Sequence, residues 1–202
     1  MEFEKKGQDF SVIPKEHEVE EYIRGCCCDA NVAWNKVDHV LFSIYVDQGK
    51  SKLGHWVSGV FTFSDWCTHV YDSQRDSKNE KLVMKILLSY KTLLPYFLEK
   101  SKFNAKRGID KTQSDALLIN LVDNLPQQIN SDCGVFVAVF TDYFVHGKEI
   151  EKDNIDIEIH HTKYGSLLWD YGRKKQKADA TSGTKEVTGR WFGRKKRKRE
   201  EK

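Results

Sequence analysis

Between Asp38 and Val46 the chain reads as a buried strand, and after a turn-rich stretch from Gly49 to Gly54 the run from His55 to Phe63 reads as its neighbour. Cys67 to Tyr71 makes a shorter third strand that ends at Asp72. Short turns between three such strands predict an antiparallel meander, which brings His55, at the start of one strand, close to Asp72, at the end of the next. From Lys78 to Lys100 the period becomes that of a helix. Leu82, Ile86, Leu87, Leu93, Leu94, Phe97 and Leu98 share a face expected to pack on the sheet, and Pro95 is expected to kink or end the helix. Ala116 to Val122 is a further candidate strand. A second helix, beginning near Cys133, carries Val135, Phe136, Val139, Phe140 and Phe144, with Asp132 placed to cap it. A short last helix, Tyr164 to Gln176, follows a polar loop, and the sequence holds no internal repeat.

Composition narrows the class. The 202 residues, 39% hydrophobic and 12% aromatic, suffice for one core with a tail and are too few for two ordinary domains. No window approaches the roughly 20 apolar residues of a membrane helix, and the start from Met1 to Gln8 lacks the apolar segment of a signal peptide. Five cysteines, three of them adjacent (Cys26, Cys27, Cys28), are poor geometry for a disulfide framework and suit thiols kept reduced. An intracellular protein is expected. The net charge of +3 hides an asymmetry: residues 173–202 hold 13 Lys or Arg against 4 Asp or Glu, or +9, which leaves −6 for the rest. A disordered basic tail over 177–202 is therefore expected, and the run Arg194 to Arg199 has the composition of a nuclear import signal read by an import receptor. Nucleic-acid binding by the same run is the less favoured use. The expected location is the nucleus, with the cytoplasm as a second compartment.

The candidate chemistry centres on Cys133. A cysteine on the first turn of a helix meets backbone N–H groups and the positive end of the macrodipole, which favours thiolate over thiol. Alone, a free Cys is more often a small buried apolar residue. Its company changes that reading. Cleaving an acyl bond needs a base beside the thiol, a group to orient the base, and donors for the developing oxyanion. His55 and Asp72 suit the roles of base and orienter, and Gln127 or Gln128 that of oxyanion donor. Gly134 allows close approach of a substrate backbone, and the N–H of Cys133 is another candidate oxyanion donor. His17, His39, His69, His146, His160 and His161 have no comparable setting. Asp72 alone would be read as an ordinary turn residue, so the combination carries the inference. No Cys-x-x-Cys pair and no glycine-rich phosphate loop occurs, the Cys26 to Cys28 cluster is read as incidental thiols, and neither a metal nor an organic cofactor is expected.

His55-Trp56, Val70-Tyr71-Asp72-Ser73, Pro126-Gln127-Gln128 and Ser131-Asp132-Cys133-Gly134-Val135-Phe136-Val137 together resemble the catalytic core of the SUMO proteases, the ubiquitin-like-protease family of cysteine peptidases. Tyr22 to Gly25, Trp34 with Val37 to Val40, and Tyr164 to Tyr171 resemble its plant members. The resemblance covers about residues 20–176, after a polar segment 1–19. It implies an α+β papain-like fold, with a central, mostly antiparallel sheet flanked by helices and the catalytic cysteine at a helix N-terminus. It also implies an enzyme that hydrolyses peptide or isopeptide bonds after the C-terminal Gly-Gly of SUMO or a related modifier; apart from the resemblance, a monomer is expected. By position, Cys133 is then the nucleophile, His55 the general base and acid, Asp72 its orienter, and Gln127 the oxyanion donor, with Gln128 as the alternative. Trp56 would line the tunnel over the Gly-Gly tail. The family's upstream Trp-Leu-x-Asp element has no counterpart in residues 1–33, which motivates the alternative of a truncated, weakly active or inactive member that binds a ubiquitin-like protein or a nuclear partner. Val57-Ser58-Gly59 is small and polar for a strand beneath a site.

Overall fold

A computed structural model describes residues 7, 9–26, 32–49, 54–150, 152 and 155–177. The extended runs form β1 (His39–Val46), β2 (His55–Thr62), β3 (Cys67–Tyr71) and β4 (Leu118–Leu121), one sheet in the order β1-β2-β3-β4. The first three strands are the expected antiparallel meander: Val46 lies opposite His55, Tyr45 opposite Trp56, and Ser58 opposite Tyr71. β4 instead pairs parallel with β3, Cys67 opposite Leu118 and Val70 opposite Leu121. A parallel pair needs a long crossover. Two helices supply it, α2 (Ser77–Lys100) and the short α3 (Phe103–Arg107).

α2 starts where Asp76 accepts the backbone N–H groups of Lys78 and Asn79, both at 2.9 Å. Pro95 does not end it, contrary to expectation. Proline withholds its N–H from the carbonyl four residues back, and the freed carbonyl of Lys91 accepts the N–H of Leu117 at 3.3 Å instead. Val83 and Leu87 of α2 pack against Ile44, Val46, Val57 and Val70, while Leu94, Phe97 and Leu98 join Phe61, Phe63, Trp66, Phe103 and Leu117. Each fully buried side chain of this kind contributes about 1.5–3 kcal/mol.

The opposite face carries α4 (Cys133–Val145). Side chains alternate along a strand, so Tyr71 points away from Val70, and its ring lies 5.9 Å from that of Phe140. Phe136 and Phe140 form a further cluster with Leu125. Asp132 occupies the N-cap position, yet its side chain makes no capping bond. Its ψ of 14° is far from the extended backbone that aims a cap side chain at the first turn, and its carbonyl takes the N–H groups of Val135 and Phe136 instead. The small Ser58-Gly59 step has a packing cause. A Cβ on Gly59 would stand 2.7 Å from Cε2 of Phe42, its cross-strand partner, whose ring goes on to stack against Tyr90.

Four short elements escaped the periodicity argument: α1 (Glu18–Arg24), α3, and the 3-10 turns Phe10–Val12 and Trp34–Lys36. Part of the polar segment 1–19 packs on the core: Phe10 stacks on Tyr96, and Ile13 and Val19 lie half-buried against the cluster around Phe97. α5 (Ile157–Lys177) is longer than the expected Tyr164–Gln176, since Asp156 accepts the N–H groups of Glu158 and Ile159 and starts the helix earlier. The chain divides into two compact units, Met1–His160 and His161–Lys202, with the boundary inside α5. Among the described residues no helix is long and apolar enough to cross a membrane. The basic run Arg194 to Arg199 and Cys27 and Cys28 lie outside the described residues.

Candidate active site

The meander does to His55 and Asp72 what the turn lengths predict. His55 Nε2 lies 2.7 Å from Asp72 Oδ1, and both side chains are buried, 1% and 4% exposed. A carboxylate only accepts, so Nε2 carries the ring's proton and Nδ1 is left with a lone pair. Nδ1 is buried without a hydrogen-bond partner. Leaving such a group unpaired costs about 1–3 kcal/mol, which makes it a place to look for a reacting proton. Asp72 is held further by Gln74 N–H on Oδ1 at 2.8 Å and Asn79 Nδ2 on Oδ2 at 3.0 Å.

Cys133 opens α4, which packs across β2, and it is 8% exposed. His55 and Cys133 line one open cavity of about 660 Å³, together with Tyr45, Trp56, Gln74, Gln128 and Gly134. Nothing lies within 4 Å of where a Gly134 Cβ would stand, so the surface beside the thiol is open. The other described thiols differ. Cys26 is exposed and Cys67 is buried on β3, where loss of water and the nearby Asp65 charge push its thiol pKa up. No group of three or more potential ligands could hold a metal ion among the described residues.

The two glutamines diverge. Gln127 Oε1 accepts the N–H of Arg75 at 2.7 Å and its Nε2 turns to the carbonyls of Leu125, Pro126 and Asp72, so its amide ties two loops together away from the cavity. Gln128 lines the cavity. Its Oε1 accepts from Ser73 Oγ at 3.1 Å and its Nε2 donates to Gln74 Oε1 at 3.3 Å, which leaves the second amide hydrogen for another acceptor. Consecutive residues on an extended loop point opposite ways, and the spacing to Cys133 alone does not say which faces the thiol.

Trp56 is 42% exposed at the cavity mouth, and Tyr45, its partner across β1 and β2, is 50% exposed, with ring centroids 5.0 Å apart. Gly54 makes room for that ring, because a Cβ there would stand 2.1 Å from Tyr45 Oη. Tyr45, Gln48, Gln74 and Asn79 are the parts of the site that sequence reasoning missed. The hairpin register pairs Tyr45 with Trp56, a signal readable in principle, whereas the three amides carry no motif.

A thiol at a helix N-terminus and an imidazole whose buried Nδ1 has no hydrogen-bond partner thus line one cavity, with a carboxylate on the far nitrogen of that ring. The chain belongs to the Ulp1 protease family, whose C-terminal catalytic domain it matches over residues 1–171. Among solved structures it is similar to the SUMO protease Ulp1 with the catalytic cysteine oxidised to a sulfonic acid, at 18% identity over 67% of this chain and 54% of that chain, with a TM-score of 0.42. It is also similar to the C-terminal Ulp1 protease domain in complex with Smt3, the yeast ortholog of SUMO, at 20% identity over 75% and 59% of the two chains, with a TM-score of 0.43. The chain thus spans little more than half the length of the solved structures it matches. No curated protein matches it.

Proposed function

We propose that this chain is a cysteine peptidase that cleaves peptide or isopeptide bonds after the C-terminal Gly-Gly of SUMO or a related ubiquitin-like modifier. One observation carries the reading: in a chain of this family, His55 is tied to Asp72 through Nε2, keeps a buried, unpartnered Nδ1, and lines the same cavity as Cys133. In that reading Nδ1 takes the thiol proton and the thiolate attacks the glycine carbonyl. The oxyanion is held by backbone N–H of Cys133 and by a glutamine amide, and the imidazolium returns the proton to the leaving amine. Water, deprotonated by the same nitrogen, then hydrolyses the thioester. The protons balance within the protein, so a monomer needs neither metal nor organic cofactor.

Gln128 is our choice for the oxyanion donor, supported by its place on the cavity and its uncommitted amide hydrogen. Gln128→Ala should lower kcat by about 100- to 1,000-fold. Gln127→Ala should instead cost about 0.5–1.5 kcal/mol of stability, the net contribution of the exposed bond from Arg75 N–H, and spare kcat. The reverse pattern in steady-state kinetics and denaturant melts would return the role to Gln127. The flat pair Trp56 and Tyr45 supports a substrate tail without bulky side chains. Gly54→Ala, which drives Tyr45 out of its place, should raise KM for a SUMO precursor by about tenfold with kcat little changed; an unchanged KM would remove Tyr45 from the binding surface.

The direct test is a SUMO bearing a thiol-trapping electrophile at its C-terminal glycine, beside the same probe on ubiquitin and beside Cys133→Ala. An adduct with SUMO alone, absent in the variant, supports the reading. No adduct from folded protein would overturn it and favour a modifier-binding module. Nuclear residence, through an import receptor that reads Arg194 to Arg199, is a separate proposal supported by composition. Replacing those six residues by Ala should release a fluorescent fusion from the nucleus, and an unchanged distribution would end that proposal.

A further inference from the structure

The carboxylate of Asp72 can orient His55 only if it cannot turn about its own Cβ–Cγ bond. His55 Nε2 and the N–H of Gln74 both act on Oδ1, and two donors on one oxygen leave the other free to swing. The remaining oxygen, Oδ2, is taken by Asn79 Nδ2 at 3.0 Å. Asn79 is 2% exposed on the first turn of α2 and is not among the residues lining the cavity around Cys133. Its amide can face only one way. Nδ2 also donates to the carbonyl of Gln74 at 2.7 Å and Oδ1 accepts Gln48 Nε2 at 3.2 Å. A flip would set oxygen against two acceptors and nitrogen against a donor. Gln48 Nε2 reaches Gln74 Oε1 as well, at 3.4 Å, and that same oxygen accepts from Gln128. A chain of amides therefore joins the carboxylate behind the base to the glutamine at the cavity.

We propose that Asn79 is a positioning residue, which locks both oxygens of Asp72 so that His55 keeps its Nδ1 lone pair toward Cys133. The inference rests on the reading of His55 and Cys133 as base and nucleophile. Its rival is that Asn79 merely builds the start of α2, and Asn79→Asp separates the two. The change is nearly isosteric but sets a buried carboxylate against that of Asp72, so both roles predict lower stability, whereas a helix-building role predicts a folded variant with wild-type kcat. A positioning role predicts loss, because the donor to Asp72 becomes a second carboxylate.

The expected result at neutral pH is a kcat lower by about 100-fold with KM little changed. The deficit relative to wild type should narrow as pH falls, since a protonated carboxyl regains an O–H to donate to Oδ2. The titratable groups around that corner are His55 from β2 and Asp76 and Lys78 from the start of α2, while Gln48 and Gln74 are neutral. Asn79→Leu should lose activity in the same direction without recovery in acid. Alkylation of Cys133 by iodoacetamide, mapped by mass spectrometry, gives a readout that needs no modifier substrate, and His55→Ala is the control. If His55→Ala alkylates and hydrolyses as wild type does, the base and nucleophile reading fails. If it loses both while Asn79→Asp and Asn79→Leu keep wild-type kcat and alkylation, the Asn79 proposal alone is overturned.

Discussion

Cys133→Ala should abolish turnover of a SUMO precursor, by at least about 1,000-fold and down to background, while the protein keeps its melting temperature. The reasoning is chemical rather than structural. Without the sulfur no thioester forms, and an oxyanion site cannot replace a missing nucleophile. The packing cost is small because Cys133 sits at the rim of its helix, 8% exposed beside an open cavity, and the core beneath it is made by Phe136, Val139 and Phe140. Activity retained at even a few per cent would mean that another group attacks. Cys67 is an unsuitable substitute, buried on β3 with its thiol held protonated to higher pH than usual.

Asp72→Asn should be nearly as severe, about 10,000-fold in kcat, with the fold intact. The carboxylate accepts the Nε2 proton of His55 at 2.7 Å and so keeps Nδ1 free to act as base. An amide there cannot satisfy all three donors: with its oxygen at the Oδ1 position it sets its NH₂ against Asn79 Nδ2, and with its NH₂ at that position it faces both His55 and the N–H of Gln74. In either orientation the neutral amide no longer stabilises the imidazolium formed when Nδ1 takes the thiol proton, and where its NH₂ faces the ring the tautomer reverses, with a proton on Nδ1 and no lone pair for the thiol. Nitrogen NMR of the imidazole reads the tautomer directly. A wild-type tautomer with undiminished kcat in Asp72→Asn would refute the assigned roles of both residues.

How far the site was legible depends on the range of the interactions involved. Strand alternation and helical periodicity are local, so β1, β2, β3, α2 and α4 could be read within a residue or two from burial pattern alone. Elements of five to seven residues, α1 and α3, span too few turns for a pattern to emerge. Pro95 misled because the rule against internal proline holds only when the freed carbonyl has no other partner, and Leu117 supplies one to Lys91 from 26 positions away. Asp132 misled because a residue type suited to capping does not fix the backbone angle that capping requires.

The order of His55, Asp72 and Cys133 along the chain, and the short turns that fold a meander, are properties of the sequence by itself. They determine that a base and a carboxylate meet at one end of a sheet, because antiparallel neighbours place the start of one strand beside the end of the next. Which glutamine lines the cavity, what holds the second oxygen of Asp72, and which ring stands opposite Trp56 were decided only in three dimensions. Those answers depend on the direction of single amides and on contacts between residues far apart in sequence. Such directions are set by the partners each hydrogen-bonding group finds after the sheet and helices have closed around it.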